Sequence, residues 1–220
     1  MADSKLTALT ATTAPATTDI LYVVTTPGGT PDSKKVTIAD LSTAMGVAGG
    51  ILTGGRVLIS EQTPTSTGTV TFNSIAGTYK HLEIEIVGRT DKAATNVSGC
   101  YLYFNNDTTA GNYQRQSVSS QSTSVSSGTA SNSDCISLPG AGATANYPGY
   151  TTILIPFYAL TVFNKSASVK NIFTYAATNL NWNDQPLAWH NTAAITRIDI
   201  VTDDSSNYVT GTTFRLYGVY

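Results

Sequence analysis

Apolar and polar residues alternate strictly in the stretch HLEIEIVG, which begins at His81. Leu82, Ile84 and Ile86 fall on one side of an extended chain, whereas the histidine and two glutamates fall on the other. A period of two residues is typical of a β-strand with one buried face and one face in water. The stretch therefore predicts a strand that covers an apolar core.

The same alternation recurs along the chain after residue 50. In ITRIDIVT it directs Ile198 and Ile200 inward and leaves Ile195, Arg197 and Asp199 on a mixed face. No segment there has the 3.6-residue period of an amphipathic helix. Nine or ten strands are predicted, among them RVLIS, TVTFN, CYLYFN, DCISL, TTILIPFYA, VKNIFTYAA and TFRLYGVY. Such a succession predicts an all-β fold, an antiparallel, jelly-roll-like β-sandwich.

The chain opens with a smaller device, LYVVTTPGGTPDSKKVTIADL. Ile20–Val24 predicts a strand, the Pro/Gly segment a turn, and Lys34–Ile38 the returning strand. Asp40 stands where a helix N-cap belongs, and Gly46 would end the short helix LSTAM. A hairpin with one short helix is too small to be stable alone, so we expect it to dock on something else.

Flanking segments divide the chain. Before Pro15 the sequence is rich in threonine and alanine, and Leu6 and Leu9 are its large apolar residues. Such an arm is expected to be disordered or held by a partner. The glycine-rich stretch GVAGGILTGG reads as a hinge. We therefore predict an N-terminal arm and attachment module over 1–50 and a β-sandwich over 51–220.

One polar stretch, SVSSQSTSVSSGTASNS at 117–133, interrupts the strands. It is compatible with a long surface loop. It is equally compatible with two polar strands joined by a serine-rich turn, because Val118 and Val125 give it a weak pattern.

Composition narrows the possible functions. Charged residues make up 12% of the chain, the net charge is −2 and no Lys/Arg cluster is present, which argues against nucleic-acid binding. No apolar run approaches the ~18 residues of a membrane span, and the N-terminus lacks the apolar region of a signal peptide. Cys100 and Cys135 are expected to be buried free thiols, with a disulfide between them as the alternative.

The sequence is poor in catalytic groupings. His81 is expected on the wet side of its strand, and Glu83 and Glu85 read as solvation and edge protection rather than as a glycosidase pair. The pair Asp203–Asp204 lacks the spacing of a calcium loop. We therefore expect no enzymatic activity, no metal and no cofactor.

Aromatic residues carry the strongest indication of binding. The stretch NLNWNDQPLAWHN places Trp182, Trp189 and His190 among amides and carboxylates, and Tyr147 and Tyr150 flank a proline in NYPGY. Flat rings beside hydrogen-bonding side chains are suited to sugars, which they contact by stacking and by hydrogen bonds to hydroxyls. The alternative is that both tryptophans pack beneath a long connection.

Four stretches of the core together resemble the β-sandwich virion proteins of tailed bacteriophages and prophages. They are TYKHLEIEIVGR, LYFNNDTTAGNYQRQ, AWHNTAAITRIDIVTDD and NYVTGTTFRLYGVY. The N-terminal stretch LTATTAPATTDILYVVTTPGGTPDSKKVTIADL is similar to the opening module of many phage tail-fibre and other virion-attached proteins. The resemblance implies a structural, non-enzymatic role, a homotrimer, and location in the virion after assembly in the host cytoplasm. It assigns anchoring to phage structural proteins to Leu6, Leu9, Leu21, Tyr22, Val36, Ile38 and Leu41.

Three functions stay open at this stage. The first is a tail-fibre or receptor-binding knob that contacts bacterial surface glycan. The second is a capsid decoration or head-fibre protein fixed to the shell. The third, a polysaccharide depolymerase, needs a carboxylate pair facing a groove, for which the sequence gives little support.

Overall fold

A computed structural model describes residues 20–25, 32–38, 55–176 and 179–220 of the 220-residue chain. The chain divides into two units, Met1–Gly54 and Gly55–Tyr220, each of which is described by itself. The boundary predicted after residue 50 lies outside the described residues.

The described part of the first unit is a two-stranded antiparallel hairpin. Strand β1 spans Ile20–Thr25 and strand β2 spans Asp32–Thr37, with Leu21 opposite Val36. The predicted hairpin is therefore present in the backbone. The helix expected from Asp40 lies outside the described residues, as do Leu6, Leu9 and Leu41.

The second unit contains thirteen strands and a single three-residue 3₁₀ turn at Ala110–Asn112 among its described residues. The strands are β3 (Arg56–Gln62), β4 (Thr69–Phe72), β5 (His81–Gly88), β6 (Val97–Phe104), β7 (Tyr113–Gln121), β8 (Ser124–Ala130), β9 (Asp134–Pro139), β10 (Gly149–Pro156), β11 (Lys165–Ala176), β12 (Asn179–Asp184), β13 (Leu187–Trp189), β14 (Ile198–Thr202) and β15 (Thr213–Val219).

These strands form two antiparallel sheets. The large sheet has the order β8-β7-β12/β13-β11-β10-β5-β15-β3, in which β12 and β13 are two pieces that both lie between β7 and β11. The small sheet has the order β4-β14-β6-β9. The predicted all-β sandwich is confirmed.

The core lies between the two sheets. Leu82, Ile84 and Ile86 of the alternating strand are completely buried, as are Ile198 and Ile200, so the predicted inward faces are confirmed. Burying each such side chain stabilises the fold by roughly 1.5–3 kcal/mol. Cys100 and Cys135 are also fully buried and free, as expected, and burial raises the pKa of both thiols.

The structure decides one open alternative and corrects two other predictions. The segment 117–133 is not a loop but the hairpin β7–β8, the second of the two alternatives. ITRIDIVT forms a strand only from Ile198 onward. Strand β5 lies between β10 and β15, so Glu83 and Glu85 do not protect a sheet edge; both instead pair with Arg56 across the sheet.

Candidate functional site

Four partly exposed apolar side chains form a continuous row across the outer face of the large sheet. The strand register places Trp182 opposite Ile172, Ile172 opposite Tyr150, and Tyr150 opposite Val87. Each is between 36% and 43% exposed. We call these four residues the aromatic row, after its two rings.

The row exists because residues that lie directly opposite one another on four neighbouring strands all face outward. Along β12, for example, Leu180, Trp182 and Asp184 face out, whereas Asn181 is buried. Two strand spacings separate Trp182 from Tyr150, which is about 10 Å. One extended ligand lying across the strands can therefore contact both rings.

A depression of about 760 Å³ adjoins the tryptophan end of the row. Trp182, Asp184, Gln116, Ser168 and Pro186 contribute to its wall. A second depression, of about 480 Å³, shares Gln116, Ser168 and Pro186 with it. Together they form an open, mixed apolar and polar groove on the outer face.

Proline explains the position of this groove. Pro186 has no N–H to donate and separates β12 from β13, so one ladder position is interrupted there. The chain keeps its place because Gln185 N donates to Val169 O at 2.8 Å and Gln116 N donates to Pro186 O at 3.2 Å.

Polar side chains surround the tyrosine end of the row. Tyr150 and Tyr217 donate their hydroxyls to Glu85 at 3.4 and 3.2 Å, and Arg56 Nη2 lies 2.9 Å from Glu85 Oε1. The Arg56 guanidinium also lies 3.6 Å above the Tyr217 ring. Burial alone would raise the pKa of Glu85, but Arg56 and the hydroxyls of Tyr217 and Tyr150 together outweigh it and lower the pKa below its ordinary value.

Trp189 does not belong to this surface. Its side chain is 1% exposed, and its Nε1 donates to Asp107 Oδ2 at 2.8 Å. The indole packs against Phe104 and stacks on Tyr113. The prediction that Trp189 contacts a sugar at the surface therefore has to be corrected, because the ring is a core side chain.

The remaining predicted residues are separate from the row or lie beside it. His190 is exposed but follows β13, at the far end of the interrupted strand from Trp182. Tyr147 is exposed in the loop before β10, three residues from Tyr150. The structure thus brings Trp182 and Tyr150 together on one sheet face. Tyr147 lies in the loop that leads to Tyr150, and His190 lies at the far end of the interrupted strand.

Other titratable groups have structural partners. His81 Nδ1 accepts a hydrogen bond from Phe157 N at 3.2 Å, and its ring packs edge-on against the Phe157 ring. Lys92 Nζ lies 2.9 Å from Asp203 and 3.4 Å from Asp204, so the acidic pair is held by a lysine. Among the described residues, no group of three or more His, Cys, Asp or Glu side chains could hold a metal ion.

No helix within the described ranges is long and apolar enough to cross a membrane. No family model, curated protein or solved structure matches the chain.

Sequence reasoning missed Ile172, Val87 and Pro186 as parts of the surface. Ile172 and Val87 lie in strands predicted from the apolar pattern, where an outward isoleucine or valine looks like any core residue. Only the pairing of β5, β10, β11 and β12 shows that Ile172 lies beside Trp182 and that Val87 lies beside Tyr150.

Proposed function

We propose that the protein is a non-enzymatic bacteriophage virion protein, a tail-fibre or receptor-binding knob that contacts host surface glycan through the aromatic row. Its N-terminal segment would attach to phage structural proteins, and three copies would associate as a homotrimer. Three weak glycan sites on one particle would then act together as an avid contact.

The row of Trp182 and Tyr150 is the observation that carries this proposal. Two exposed rings lie on one sheet face, and a groove with Asp184, Gln116 and Ser168 begins beside Trp182. Rings of this kind stack on the C–H faces of sugars, while carboxylate, amide and hydroxyl groups bind their hydroxyls. An open groove suits a polymer better than a small metabolite.

The test compares binding of the intact protein and its variants to lipopolysaccharide and capsule from bacteria that the phage infects. We expect Trp182→Ala and Tyr150→Ala each to weaken binding by about fivefold to tenfold, because a ring contact contributes roughly 1 kcal/mol. Leu58→Ala is the matched control, since Leu58 is an exposed apolar residue near the other edge of the same sheet. Unchanged binding by a folded Trp182→Ala, Tyr150→Ala double variant would refute the glycan surface.

A second candidate is a capsid decoration or head-fibre protein, and one observation favours it. The connection between β10 and β11 exposes four large apolar side chains, Phe157, Leu160, Val162 and Phe163. Clustered apolar exposure of this kind is typical of a contact with another protein. In a decoration protein this connection would seat on a neighbouring chain of the shell.

A further inference from the structure

A polar cleft lies on the inner side of the same strand that carries Trp182. On β12, Trp182 and Asp184 face outward, whereas Asn183 lines the cleft. The cleft has a volume of about 270 Å³, enough for a ligand of one small ring. It is bounded by side chains that include Lys92, Arg115, Asp134, Ser137, Asn183 and Asp203.

Polar side chains near one edge of the large sheet form one wall of this cleft. Three inward positions of β7, Arg115, Ser117 and Ser119, contribute to the wall, together with Asn183 and Gln185. Inward positions of a sandwich are normally apolar. A polar lining here means that this edge faces a wet space instead of the core.

Asp134 is the acceptor that lacks a donor. Within the described part of the chain, neither of its carboxyl oxygens accepts a hydrogen bond from a protein group, and its ion pair with Arg115 Nη2 is long at 3.8 Å. Burial raises the pKa of Asp134, and Arg115 only partly opposes this. The Asp134 side chain is 30% exposed, so a ligand hydroxyl that enters the cleft can reach this carboxylate and donate to it.

Ser137 adds a free donor beside that acceptor. Its Oγ accepts hydrogen bonds from Gln185 Nε2 at 3.1 Å and from Asn183 Nδ2 at 3.4 Å. With both amides donating to the oxygen, the hydroxyl hydrogen has no protein acceptor in the described residues. Asn183 Oδ1 is a buried acceptor without a donor in the described residues.

Gly99 leaves the floor of the cleft open. A Cβ at this position would lie 2.6 Å from Asp134 Oδ1 and 3.0 Å from Asp203 Oδ2. Any side chain would therefore push against both carboxylates and fill the space between them. The glycine keeps these oxygens accessible from the cleft.

The charges in the cleft argue against an ionic ligand. Lys92 is engaged by Asp203 and Asp204, and Arg115 donates to Asn132 and Gln185. Two cations thus accompany the carboxylates, and neither is free to bind an anion. The groups left unpaired among the described residues are acceptors and one donor, so a ligand must both donate and accept hydrogen bonds. An alcohol hydroxyl does both.

We propose that this cleft binds one neutral sugar ring or similar polyol, with the Asp134 carboxylate accepting its hydroxyls and Ser137 donating to it. This site is separate from the aromatic row and does not depend on the proposed role in the virion.

Titration of the ¹⁵N-labelled full chain followed by NMR tests the site. The probes are methyl glycosides of glucose, galactose and mannose and N-acetylglucosamine, compared with glucosamine, glucuronate and inorganic phosphate. At least one neutral sugar is expected to shift the Gly99 and Ser137 amides and the Asn183 side-chain amide. Asp134→Ala is expected to raise the Kd at least tenfold, and Asp134→Asn, which keeps one acceptor, to raise it less.

Glu61→Gln is the matched control, since it changes an exposed carboxylate on β3, at the other edge of the large sheet, and should leave these shifts unaltered. If Asp134→Ala fails to fold, Ser137→Ala takes its place with the same expected loss. The proposal is overturned if no neutral sugar shifts these amides up to roughly 50 mM, well above a millimolar Kd. It is also overturned if the charged probes bind as tightly as the neutral sugars, or if folded Asp134→Ala or Ser137→Ala binds the sugar with unchanged Kd. The Trp182 indole signal in the same spectra reports the outer face independently.

Discussion

At the scale of single residues, the two tryptophans show what decides between core and surface. Trp182 and Trp189 stand seven residues apart in one polar stretch. An odd separation along extended chain places them on opposite faces, so one ring points to solvent and the other into the core. The sequence predicted aromatic residues in a binding role, but nothing in it indicates which face of the strand is buried, because both rings have the same polar neighbours.

The buried tryptophan depends on Asp107. This carboxylate accepts hydrogen bonds from Trp189 Nε1 and Asn112 Nδ2, each at 2.8 Å, and from Thr109 N at 3.0 Å. Burial alone would raise the pKa of Asp107, but these bonds outweigh it and lower the pKa below its ordinary value. A lowered pKa means that the ionised form stabilises the fold.

We predict that Asp107→Ala lowers the free energy of unfolding by about 1.5–3 kcal/mol at neutral pH, the contribution of hydrogen bonds to a charged group. The stabilisation is fully present above the ordinary aspartate pKa of 3.8 and is lost as the pH falls through the lower folded-state value. Urea unfolding of both proteins at neutral and strongly acidic pH measures this. An equal difference at both pH values would contradict the role of the ionised carboxylate.

A single arginine organises the loop that carries Tyr147. Arg89 Nη1 donates to Thr144 O and Tyr147 O at 2.6 and 2.8 Å, and its Nη2 donates to Gly140 O and Ala143 O at 2.8 and 2.9 Å. Four carbonyl groups are thus held by one planar side chain. A lysine has one nitrogen and cannot match this fork.

We predict that Arg89→Lys destabilises the protein by about 1–2 kcal/mol and increases amide hydrogen exchange in the 140–147 loop, since most of the four hydrogen bonds are lost. Hydrogen-exchange mass spectrometry of both proteins tests the local effect. Lys170→Arg, at an exposed position on β11, provides the control and should leave exchange in the loop unchanged. Wild-type exchange in the Arg89→Lys loop would show that the clamp does not hold it.

At the scale of elements, the strands that cover the core were predictable, whereas the polar segment 117–133 was equally compatible with a loop and with two strands. β5, β6, β14 and β15 show alternating or apolar patterns because one face packs between the sheets. β8 has no such pattern, because nearly all its side chains are exposed. β7 and β12 line the polar cleft on their inward side, so burial imposes no apolar period on them. A strand whose inward side chains are mostly polar has no alternating apolar pattern from which the sequence could predict it.

The closing strand contains a position that only glycine fits. A Cβ at Gly218 would lie 2.4 Å from two atoms of the Tyr79 ring. Tyr79 in turn packs edge-on against Tyr220. The small residue therefore lets the Tyr79 ring lie flat on β15, which is the strand between β5 and β3.

We predict that Gly218→Ala destabilises the protein by about 1–3 kcal/mol, because the methyl group displaces the Tyr79 ring from its seat. Thermal unfolding of Gly218→Ala and of the Gly218→Ala, Tyr79→Ala double variant measures the coupling. If the ring is the cause, the alanine at 218 costs clearly less stability when Tyr79 is absent. An equal loss in both backgrounds would assign the effect to the backbone of β15 instead.

At the scale of the whole molecule, the described apolar core lies entirely within the second unit. All its buried members fall between Val70 and Leu216. We predict that residues 55–220 alone unfold cooperatively, with a midpoint within a few degrees of the full chain, since no core residue is removed. Calorimetry of both chains tests this. A fragment that fails to fold would show that the N-terminal 54 residues complete the core.

The attachment function assigned to the N-terminal module and the choice between tail and capsid are properties of an assembly. Leu21, Tyr22 and Val36 belong to a hairpin whose pattern the sequence predicted, and Ile38 follows its second strand, but a hairpin does not identify its partner. The proposed glycan surface and the exposed connection after β10 favour different partners for the second unit. Neither could be chosen from sequence, because both depend on which outward residues become neighbours.

Immunogold labelling of the intact phage particle tests the central claim most directly. Antibody raised against the second unit would be applied to purified particles of the phage that we propose encodes the chain. We predict gold at the tail tip, where a receptor-binding knob meets the cell surface. Label distributed over the capsid shell would contradict the receptor-binding role in favour of decoration, and unlabelled particles that contain no copy of the chain would contradict the virion assignment altogether.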